Sequence, residues 1–534
     1  MKSYCLPFTQ VPGSSKLFND FLSWSPAVHP FYSRSPHFSE WCQNETTNIR
    51  YEQGRREQVS AILERQNKNW EASPKTLENI RRFKAGAFAA VSGQQVGLFG
   101  GPLFTIFKAL TAIKLADEAT KKGVNTVPVF WLASQDHDLE EVNHTFLPGQ
   151  DTGLQKLAVG SQGVSDAPVG TIKFGAEIEE VVAAAQESFG ECEVVEWLRN
   201  SYRSGETYGS AFARLLARVF ADWGVILMDA SDPEFTAIAK PLFRAAIERS
   251  PEIEQALQAR GKDLEAAGYH QQVKVVAGST LMFATQNGSR TPVHRTKNDF
   301  VIGEEKLSQA DLLERISTAS QGFSANVLLR PVLQDYLLPT LAYTGGPAEI
   351  VYFAQAGVVY NALLGRVTPI IPRFSATLIE PRLRTLLEKY SLTVPQLFAG
   401  VEAVRQFLAA RALPEGLNTA FTHAHESLKA SLERVSNALE RLDKTLVDSA
   451  KNAGEKMRYQ LEQLQSRAAR AELRQSEVLN RHAELLSNSL YPNKMLQERE
   501  IGGIYFLARH GTQLLNDIYD NMHLDCLDHQ LIDL

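Results

Sequence analysis

The sequence lacks a long uninterrupted apolar run and a strong excess of charge of one sign. No stretch reaches the roughly 18 apolar residues of a membrane-spanning helix, and the first residues lack the apolar core of a secretory signal. Lys and Arg number 55 and Asp and Glu 61, a formal charge of −6 that does not favour nucleic-acid binding. With 44% hydrophobic residues the chain is not disordered. We expect a globular cytoplasmic protein with no membrane or nucleic-acid partner.

Cysteine is scarce and dispersed. The four cysteines are Cys5, Cys42, Cys192 and Cys526, and none lies within a few residues of another. This spacing indicates neither a zinc-binding cluster nor a disulfide framework. Because no cysteine lies in a chemical motif, we expect no covalent thiol relay.

A βαβ unit follows the first 85 residues. The apolar run 86–92 has the length of a buried strand, and a glycine-rich segment leads from it to Pro102, which we place at the first position of a helix. Gly123 ends this helix, and 127–133 forms a second apolar strand. Such a unit implies parallel strands. With a further strand at 225–229, the pattern predicts an α/β fold.

From about residue 384 the chain is predicted to be helical, with apolar residues at heptad spacing. The phase of the repeat slips near 452–454, where we expect a hairpin between two helical arms. Such arms cannot bury their apolar seam on a compact domain, so we expect them to pair with each other and, in a homodimer, with a second subunit. The apolar positions are Leu428, Leu432, Val435, Leu439, Leu442 and Leu446, then Met457, Leu461, Leu464, Ala468, Ala471, Val478 and Leu485.

The chain therefore divides into four parts. We predict a lead-in that packs on the core (1–85), an α/β core (86–383) with strand-rich insertions at about 150–200 and 270–320, a coiled-coil domain (384–490) and a helical tail that returns to the core (491–534).

The glycine-rich segment is the first candidate site. A strand that turns through glycines into a helix presents free N–H groups to a phosphate or carboxylate. The spacing matches neither common phosphate-binding motif, so a tight turn required for packing is the alternative. Lys108 lies too far into the helix for a phosphate-loop lysine, and we interpret it as a solvated charge. The candidate ligands are Gly93, Gln94, Gln95, Gly97, Gly100, Gly101 and Thr105.

Acidic and histidine side chains follow the second strand, at the sheet edge where ligands of α/β proteins bind. A polar nucleotide or amine site is favoured. A metal site on Asp136, His137 and His144 is an alternative, although the spacing matches no metal motif, and a charged helix start would explain the acidic residues alone. The candidate residues are Gln135, Asp136, His137, Asp138, Asn143 and His144.

Two further segments carry candidate residues. A Gly-Gly-Pro turn leads into a helix at 345–347, where Glu349 either caps the helix or holds a substrate amine. After the coiled coil, Lys494 and Arg499 either close over an anion or are ordinary surface charges. The candidates in the first of these segments are Tyr343, Gly345, Gly346, Glu349 and Tyr352.

Four segments resemble the cysteine ligase family of bacillithiol biosynthesis. They are SGQQVGLFGGPLFTIFKALTAIKLA, WLASQDHDLEEVNH, RPVLQDYLLPTLAYTGGPAEIVYFAQ and YPNKMLQERE, in the same order and spacing. The resemblance implies a Rossmann-like core similar to class I aminoacyl-tRNA synthetases, a nucleotide site and a coiled coil linked to dimerisation. It also implies that cysteine is joined to the amine of glucosaminyl malate, the last step of the pathway.

This chemistry requires that the carboxylate be activated before the amine attacks. We therefore expect ATP with Mg²⁺ as cofactor and ADP or AMP as product, with adenylation and phosphorylation both open. Asp136, His137 or Glu349 would orient the amine or take its proton. Two alternatives remain, a non-catalytic coiled-coil scaffold that binds a nucleotide or sugar, and a metal-dependent hydrolase built on residues 134–144.

Overall fold

A computed structural model describes residues 1–149, 151–160, 167–286, 288–318, 322–413 and 415–534. Its strands are β1 (Lys2–Leu6), β2 (Phe88–Gln94), β3 (Thr126–Leu132), β4 (His144–Pro148), β5 (Leu154–Ala158), β6 (Ile226–Asp229), β7 (Ser279–Gln286), β8 (Ser289–Arg295), β9 (Phe300–Ile302), β10 (Glu305–Leu307), β11 (Phe323–Ala325), β12 (Thr340–Gly345), β13 (Ile370–Pro372), β14 (Ala376–Ile379) and β15 (His529–Asp533).

Helices make up most of the remaining structure. They are α1 (Lys16–Leu22), α2 (Cys42–Glu45), α3 (Gln53–Asn69), α4 (Pro74–Lys84), α5 (Phe104–Lys121), α6 (Leu139–Val142), α7 (Glu177–Phe189), α8 (Glu193–Ser201), α9 (Tyr208–Val219), α10 (Pro233–Glu248), α11 (Ser250–Ala266), α12 (Gln309–Thr318), α13 (Arg330–Leu337), α14 (Pro347–Leu364), α15 (Pro381–Lys389), α16 (Val394–Leu397), α17 (Val401–Arg411), α18 (Glu415–Leu442), α19 (Leu446–Gln475), α20 (Glu477–Leu490), α21 (Gln497–Glu500), α22 (Gly503–His510) and α23 (Gln513–Asn521).

The central sheet has the order β13-β12-β2-β3-β6, and all its neighbouring strands are parallel. The predicted α/β fold with parallel strands is therefore confirmed, and the three strands expected from apolar runs are β2, β3 and β6. Since β2 contacts the later strands β3 on one side and β12 on the other, the strand order reverses between β2 and β12. Ligands of such sheets bind at this point of reversal.

Both faces of the sheet are buried, which explains why its strands are continuous apolar runs. Along β3, Val127, Val129 and Trp131 join one apolar core. Phe130 and Leu132 point to the opposite face and join a second core. Alternate residues of one strand thus hold helices on both sides.

The helix after the glycine-rich segment begins later than expected. A short 3₁₀ turn, Leu98–Gly100, follows β2, and α5 begins at Phe104. The prediction that Pro102 opens this helix is wrong, since Pro102 instead forms an antiparallel bridge with Gly502 of the tail. The end of the helix is as predicted, because Gly123 has a φ of +85° just beyond it.

The two predicted insertions differ in structure. Strands β7 to β11 form an antiparallel sheet of five strands, as the strand-rich pattern suggested. Around 150–200, β5 is followed by α7 and α8, so the part that the structure describes is mainly helical. The tail is not entirely helical either. Its last strand, β15, pairs antiparallel with β1 and parallel with β14.

The heptad region is a helical hairpin, but its turn lies earlier than expected. Helix α18 ends at Leu442 and α19 begins at Leu446. Between them, Asp443 accepts hydrogen bonds from the N–H and hydroxyl of Thr445. Gly454, expected in the turn, lies within α19, where a Cβ would come 2.8 Å from Leu432 of the facing helix. The slip in the heptad phase therefore coincides with a close contact between the two helices and not with the turn between them.

No helix in the described ranges combines sufficient length with sufficient apolar character to cross a bilayer.

Candidate functional site

A cavity of about 600 Å³ opens where the strand order of the central sheet reverses. The carboxyl ends of β2, β3 and β12 form its floor, and the loops after β6 and β11, α13 and the tail form its sides. The cavity brings together residues from all four candidate segments. Of the predicted site residues, those that line it are Gly93, Gln94, Gln95, Gln135, Asp136, Tyr343, Gly346, Glu349, Tyr352 and Arg499.

A buried ion pair lies at the centre of the floor. Lys108 of α5 is 5% exposed, and its Nζ lies 2.6 Å from Oε2 of Glu349 on α14. The same ammonium donates to the carbonyl of Gly93 at 2.8 Å and to Oε1 of Gln94 at 3.0 Å. The interpretation of Lys108 as a solvated charge is therefore wrong: the side chain folds back under the end of β2.

Glu349 has two further donors. The hydroxyl of Tyr343 donates to Oε1 at 2.5 Å, and the N–H of Gly346 donates to Oε2 at 2.8 Å. Glu349 therefore caps α14, which is one of the two roles predicted for it. Burial would raise the pKa of its carboxyl, but the charge of Lys108 and these donors hold that pKa below its usual value. Glu349 is thus a carboxylate whose oxygens are already bound.

Arginines give the cavity a positive excess. Its lining contains Lys108 and four arginines against three acidic residues, Asp136, Glu141 and Glu349. Arg290 donates to Ser324 and to the carbonyl of Ala325 at 3.0 and 2.6 Å. Arg330 donates to the hydroxyl of Tyr352 at 3.2 Å. Because these partners are neutral, both guanidinium charges remain available to an anion.

Arg373 is fixed from behind by the tail. Its guanidinium lies 2.6 Å from Glu498, and the two side chains are 3% and 1% exposed. Glu498 also accepts from the hydroxyl of Ser375 at 2.9 Å. His529 of β15 completes the group, bonded to Ser375 at 2.7 Å and to Thr377 at 2.9 Å. A wall of the cavity thus depends on the last strand of the chain.

Residues 134–144 divide between the cavity and the surface. Asp136 borders the cavity and accepts from Nε2 of Gln95 at 2.8 Å. His137 and Asp138 are exposed outside it, and Asp138 caps α6 by accepting from the N–H of Glu141. His144 lies on β4 and bonds to Asn143. Within the described ranges no group of three His, Cys, Asp or Glu side chains could hold a metal ion, so the geometry does not support a metal site on this segment.

The glycine turn does not form the expected anion cradle. The N–H groups of Gly97, Gly100 and Gly101 bond to the carbonyls of Gln95, Gly97 and Leu98, respectively, within the turn. Their donors are therefore directed into the protein. The predicted site residues that do not line the cavity are Gly97, Gly100, Gly101, Thr105, His137, Asp138, Asn143, His144, Gly345 and Lys494.

Sequence reasoning missed Arg290, Arg330 and Arg373 as cavity residues. Arg330 lies in the segment RPVLQDYLLPTLAYTGGPAEIVYFAQ and directly precedes Pro331. A proline at this position indicates a helix start, and Arg330 is the first residue of α13. Arg290 comes from the inserted sheet, and Arg373 follows β13. Neither belongs to a motif, so only the fold brings them to the cavity.

The fold and the cavity together define a Rossmann-like domain with an attached coiled coil. A family model described as "Bacillithiol biosynthesis BshC, N-terminal Rossmann-like domain" matches residues 1–374. A second, "Bacillithiol biosynthesis BshC, C-terminal coiled-coil domain", matches residues 376–534. The chain belongs to the BshC family of bacillithiol biosynthesis, and the resemblance drawn from its four segments is confirmed.

Individual relatives match the chain along nearly its whole length. The chain is 47% identical over 528 residues to a Koribacter versatilis protein, covering 99% of each. It is 35% identical to a Solibacter usitatus protein, covering all of both, and 31% identical to one from Geobacillus thermodenitrificans, covering 95% of this chain and 96% of that protein. All three are named "Putative cysteine ligase BshC".

The Lys108–Glu349 pair generates a stability prediction. The substitution Lys108→Met leaves a buried carboxylate without its cation, so we expect the free energy of unfolding to fall by about 3–5 kcal/mol. Urea unfolding followed by tryptophan fluorescence measures this change.

Two variants control that experiment. Lys121→Met removes a cation of the same helix whose pair with Glu118 is exposed, and it should leave the urea midpoint unchanged. Adding Glu349→Gln to Lys108→Met should restore part of the loss. Equal destabilisation by Lys121→Met would show that the loss reflects helix charge rather than the buried pair.

His529 generates a prediction of acid sensitivity. Burial lowers the pKa of His529 from 6.5 to about 4. The unfolded chain therefore binds more protons between these values, and the contribution of neutral His529 is complete above pH 6.5 and lost as the pH falls towards 4. The shift corresponds to about 3 kcal/mol. Unfolding free energies measured from pH 7 to 4 should fall less in His529→Asn than in the wild type.

The control for acid sensitivity is His523→Asn, which removes an exposed histidine of the same tail. Its pH profile should match that of the wild type. Parallel profiles for wild type and His529→Asn would contradict the assignment.

Proposed function

We propose that the protein is an ATP-dependent ligase that joins the carboxylate of cysteine to the amine of glucosaminyl malate. The observation that carries the proposal is the cavity at the reversal of strand order, which combines the half-buried carboxylate of Asp136 with several arginines. Family membership supports the pathway, since the relatives are named "Putative cysteine ligase BshC".

Both substrates and the cofactor carry carboxylate or phosphate groups, and the positive excess of the cavity is suited to such groups. Arg290 and Arg330 could bind the carboxylates of the malate group or the phosphates of ATP through paired N–H donors. Arg373 and Arg499 border the same space. Bound ATP would supply a phosphorus group that converts the carboxylate oxygen into a leaving group, and Glu141 is the lining carboxylate that could hold its Mg²⁺ together with the phosphates.

Asp136 is the residue best placed to act on the amine. It borders the cavity and is 31% exposed, whereas His137 lies outside. Glu349 is bound by Lys108, Tyr343 and Gly346, so a role as base would break its own contacts. We therefore assign the orientation of the amine, and the removal of its proton, to Asp136.

In the overall reaction, the amine nitrogen bonds to the carboxyl carbon of cysteine. The displaced carboxylate oxygen leaves on the phosphorus-containing product. AMP with pyrophosphate would indicate adenylation, and ADP with phosphate would indicate phosphorylation.

The test supplies purified protein with ATP, Mg²⁺, cysteine and glucosaminyl malate, and measures the amide and the nucleotide products by mass spectrometry. We expect amide formation that requires the nucleotide and that falls about 10²- to 10⁴-fold in Asp136→Asn.

Asp138→Asn is the matched control. Asp138 is an exposed neighbouring carboxylate whose capping role asparagine can fill, so the rate should be unchanged. Amide formed at full rate without nucleotide would reject the mechanism. Binding of ATP and cysteine by calorimetry, without any turnover, would instead favour the scaffold alternative.

We also propose that the protein is a homodimer through the helical hairpin. One part of the seam is half-buried between the arms, as at Leu432 and Leu461. Another part is exposed: Val435 is 51%, Met457 53% and Leu464 56% accessible. A second copy of the hairpin would cover these side chains by the same heptad packing.

Sedimentation equilibrium tests the dimer. The wild type should sediment as a dimer, and the double substitution Val435→Glu and Met457→Glu should produce monomers by placing charges in the seam. Val276→Glu changes an equally exposed valine outside the coiled coil and should remain dimeric. A monomeric wild type would contradict the proposal.

A further inference from the structure

Two cysteine thiols from opposite ends of the chain lie side by side. The Sγ atoms of Cys5 and Cys526 are 3.3 Å apart. Cys5 is exposed and Cys526 is half-buried, so small reagents can reach the pair. The separation in sequence, which suggested isolated cysteines, does not reflect their position in the fold.

Backbone pairing keeps the two sulfur atoms close. Cys5 lies on β1, opposite Gln530 of β15 in an antiparallel register. Cys526 lies in the turn that leads into β15, where its N–H bonds to the carbonyl of His523 at 3.1 Å. A disulfide has an S–S distance of about 2.05 Å, so the two sulfur atoms would need to approach by little more than about 1 Å to form one.

We propose that Cys5 and Cys526 form a thiol–disulfide modification site that is oxidised by low-molecular-weight disulfides. In the first step one thiolate attacks such a disulfide, forms a mixed disulfide and releases one small thiolate. In the second step the other protein thiolate attacks the mixed disulfide and displaces the second small thiolate. Two protein thiols are oxidised and one small disulfide is reduced to two thiols.

The environment of Cys5 disfavours it as the first nucleophile. The hydrogen bond with the Cys526 thiol, followed by burial, raises the pKa of Cys5 to about 11. Cys5 is therefore mostly protonated at neutral pH and a poor first attacker. When Cys526 has entered the mixed disulfide, its hydrogen bond with the Cys5 thiol is lost, and Cys5 lies close enough to resolve the intermediate.

The new bond would tie β1 to β15, the strand that carries His529. His529 bonds to Ser375, and Ser375 to Glu498, which holds Arg373 at the cavity. Oxidation would thus fasten the tail behind the proposed active site. The inference does not depend on the proposed reaction, because it concerns only the thiols and the strands beside them.

The experiment treats the full chain with oxidised glutathione at neutral pH, blocks the remaining thiols with N-ethylmaleimide and digests the protein with trypsin. The sequence predicts that Cys5 and Cys526 fall in the tryptic peptides 3–16 and 510–534. We expect these two peptides to be joined, in monomeric chains on a non-reducing denaturing gel, and to separate with dithiothreitol.

Cys192 serves as the internal control, since it is half-buried as Cys526 is. It should stop at a mixed disulfide with glutathione or remain free. In Cys5→Ser the joined peptide should be lost and Cys526 should retain glutathione, whereas Cys192→Ser should form the joined peptide as the wild type does.

A second measurement tests the effect on the tail. The oxidised wild type should unfold at a higher temperature than the reduced protein, and Cys5→Ser should show no such difference. Stable glutathione adducts on Cys5 or Cys526 of the wild type, without a bond between them, would overturn the proposal. A joined chain with an unchanged unfolding temperature would overturn the fastening of β15.

Discussion

The buried pair of Lys108 and Glu349 links the helices that follow the two paired strands at the centre of the sheet. Lys108 is on the helix that follows β2, and Glu349 is on the helix that follows β12, so their contact spans the point where the strand order reverses. Parallel strands leave a crevice at such a point because their helices diverge to opposite faces. A charge pair across its floor fixes the distance between the helix starts. It also stabilises the backbone, because the carbonyl of Gly93 accepts from Lys108 and the N–H of Gly346 donates to Glu349.

The bonding of this pair also determines which charged groups of the cavity can still bind a ligand. A buried ion pair is costly to desolvate, and the cost is offset only when all its donors and acceptors are satisfied. Lys108 uses the carbonyl of Gly93, the amide oxygen of Gln94 and the carboxylate of Glu349. Because their donors and acceptors are already bonded, we assign Lys108 and Glu349 a structural role. The half-buried Asp136 and the arginines bonded to neutral oxygens retain capacity for a ligand.

The sequence predicted those features that depend on local pattern. Apolar runs located β2, β3 and β6 because a strand buried on both faces contains few polar residues. Heptad spacing predicted the hairpin, but its turn was misplaced because Gly454, a residue typical of turns, serves a close helix contact. The burial of Lys108 could not be recognised from the sequence of α5 alone, since its partner Glu349 lies on α14. Arg290, Arg373 and the paired cysteines likewise meet only after distant segments pack together.

The tail makes the cavity depend on the whole chain. Arg373 follows β13, yet its charge is balanced by Glu498, which lies beyond the coiled coil. Glu498 is held in turn by the residues around β14 and, through Ser375, by His529. A long hairpin can therefore be inserted between core and tail without disturbing the site, because the tail returns and pairs β15 with both β1 and β14. Helix α20 and the turn after it connect the hairpin to α21, the helix that carries Glu498.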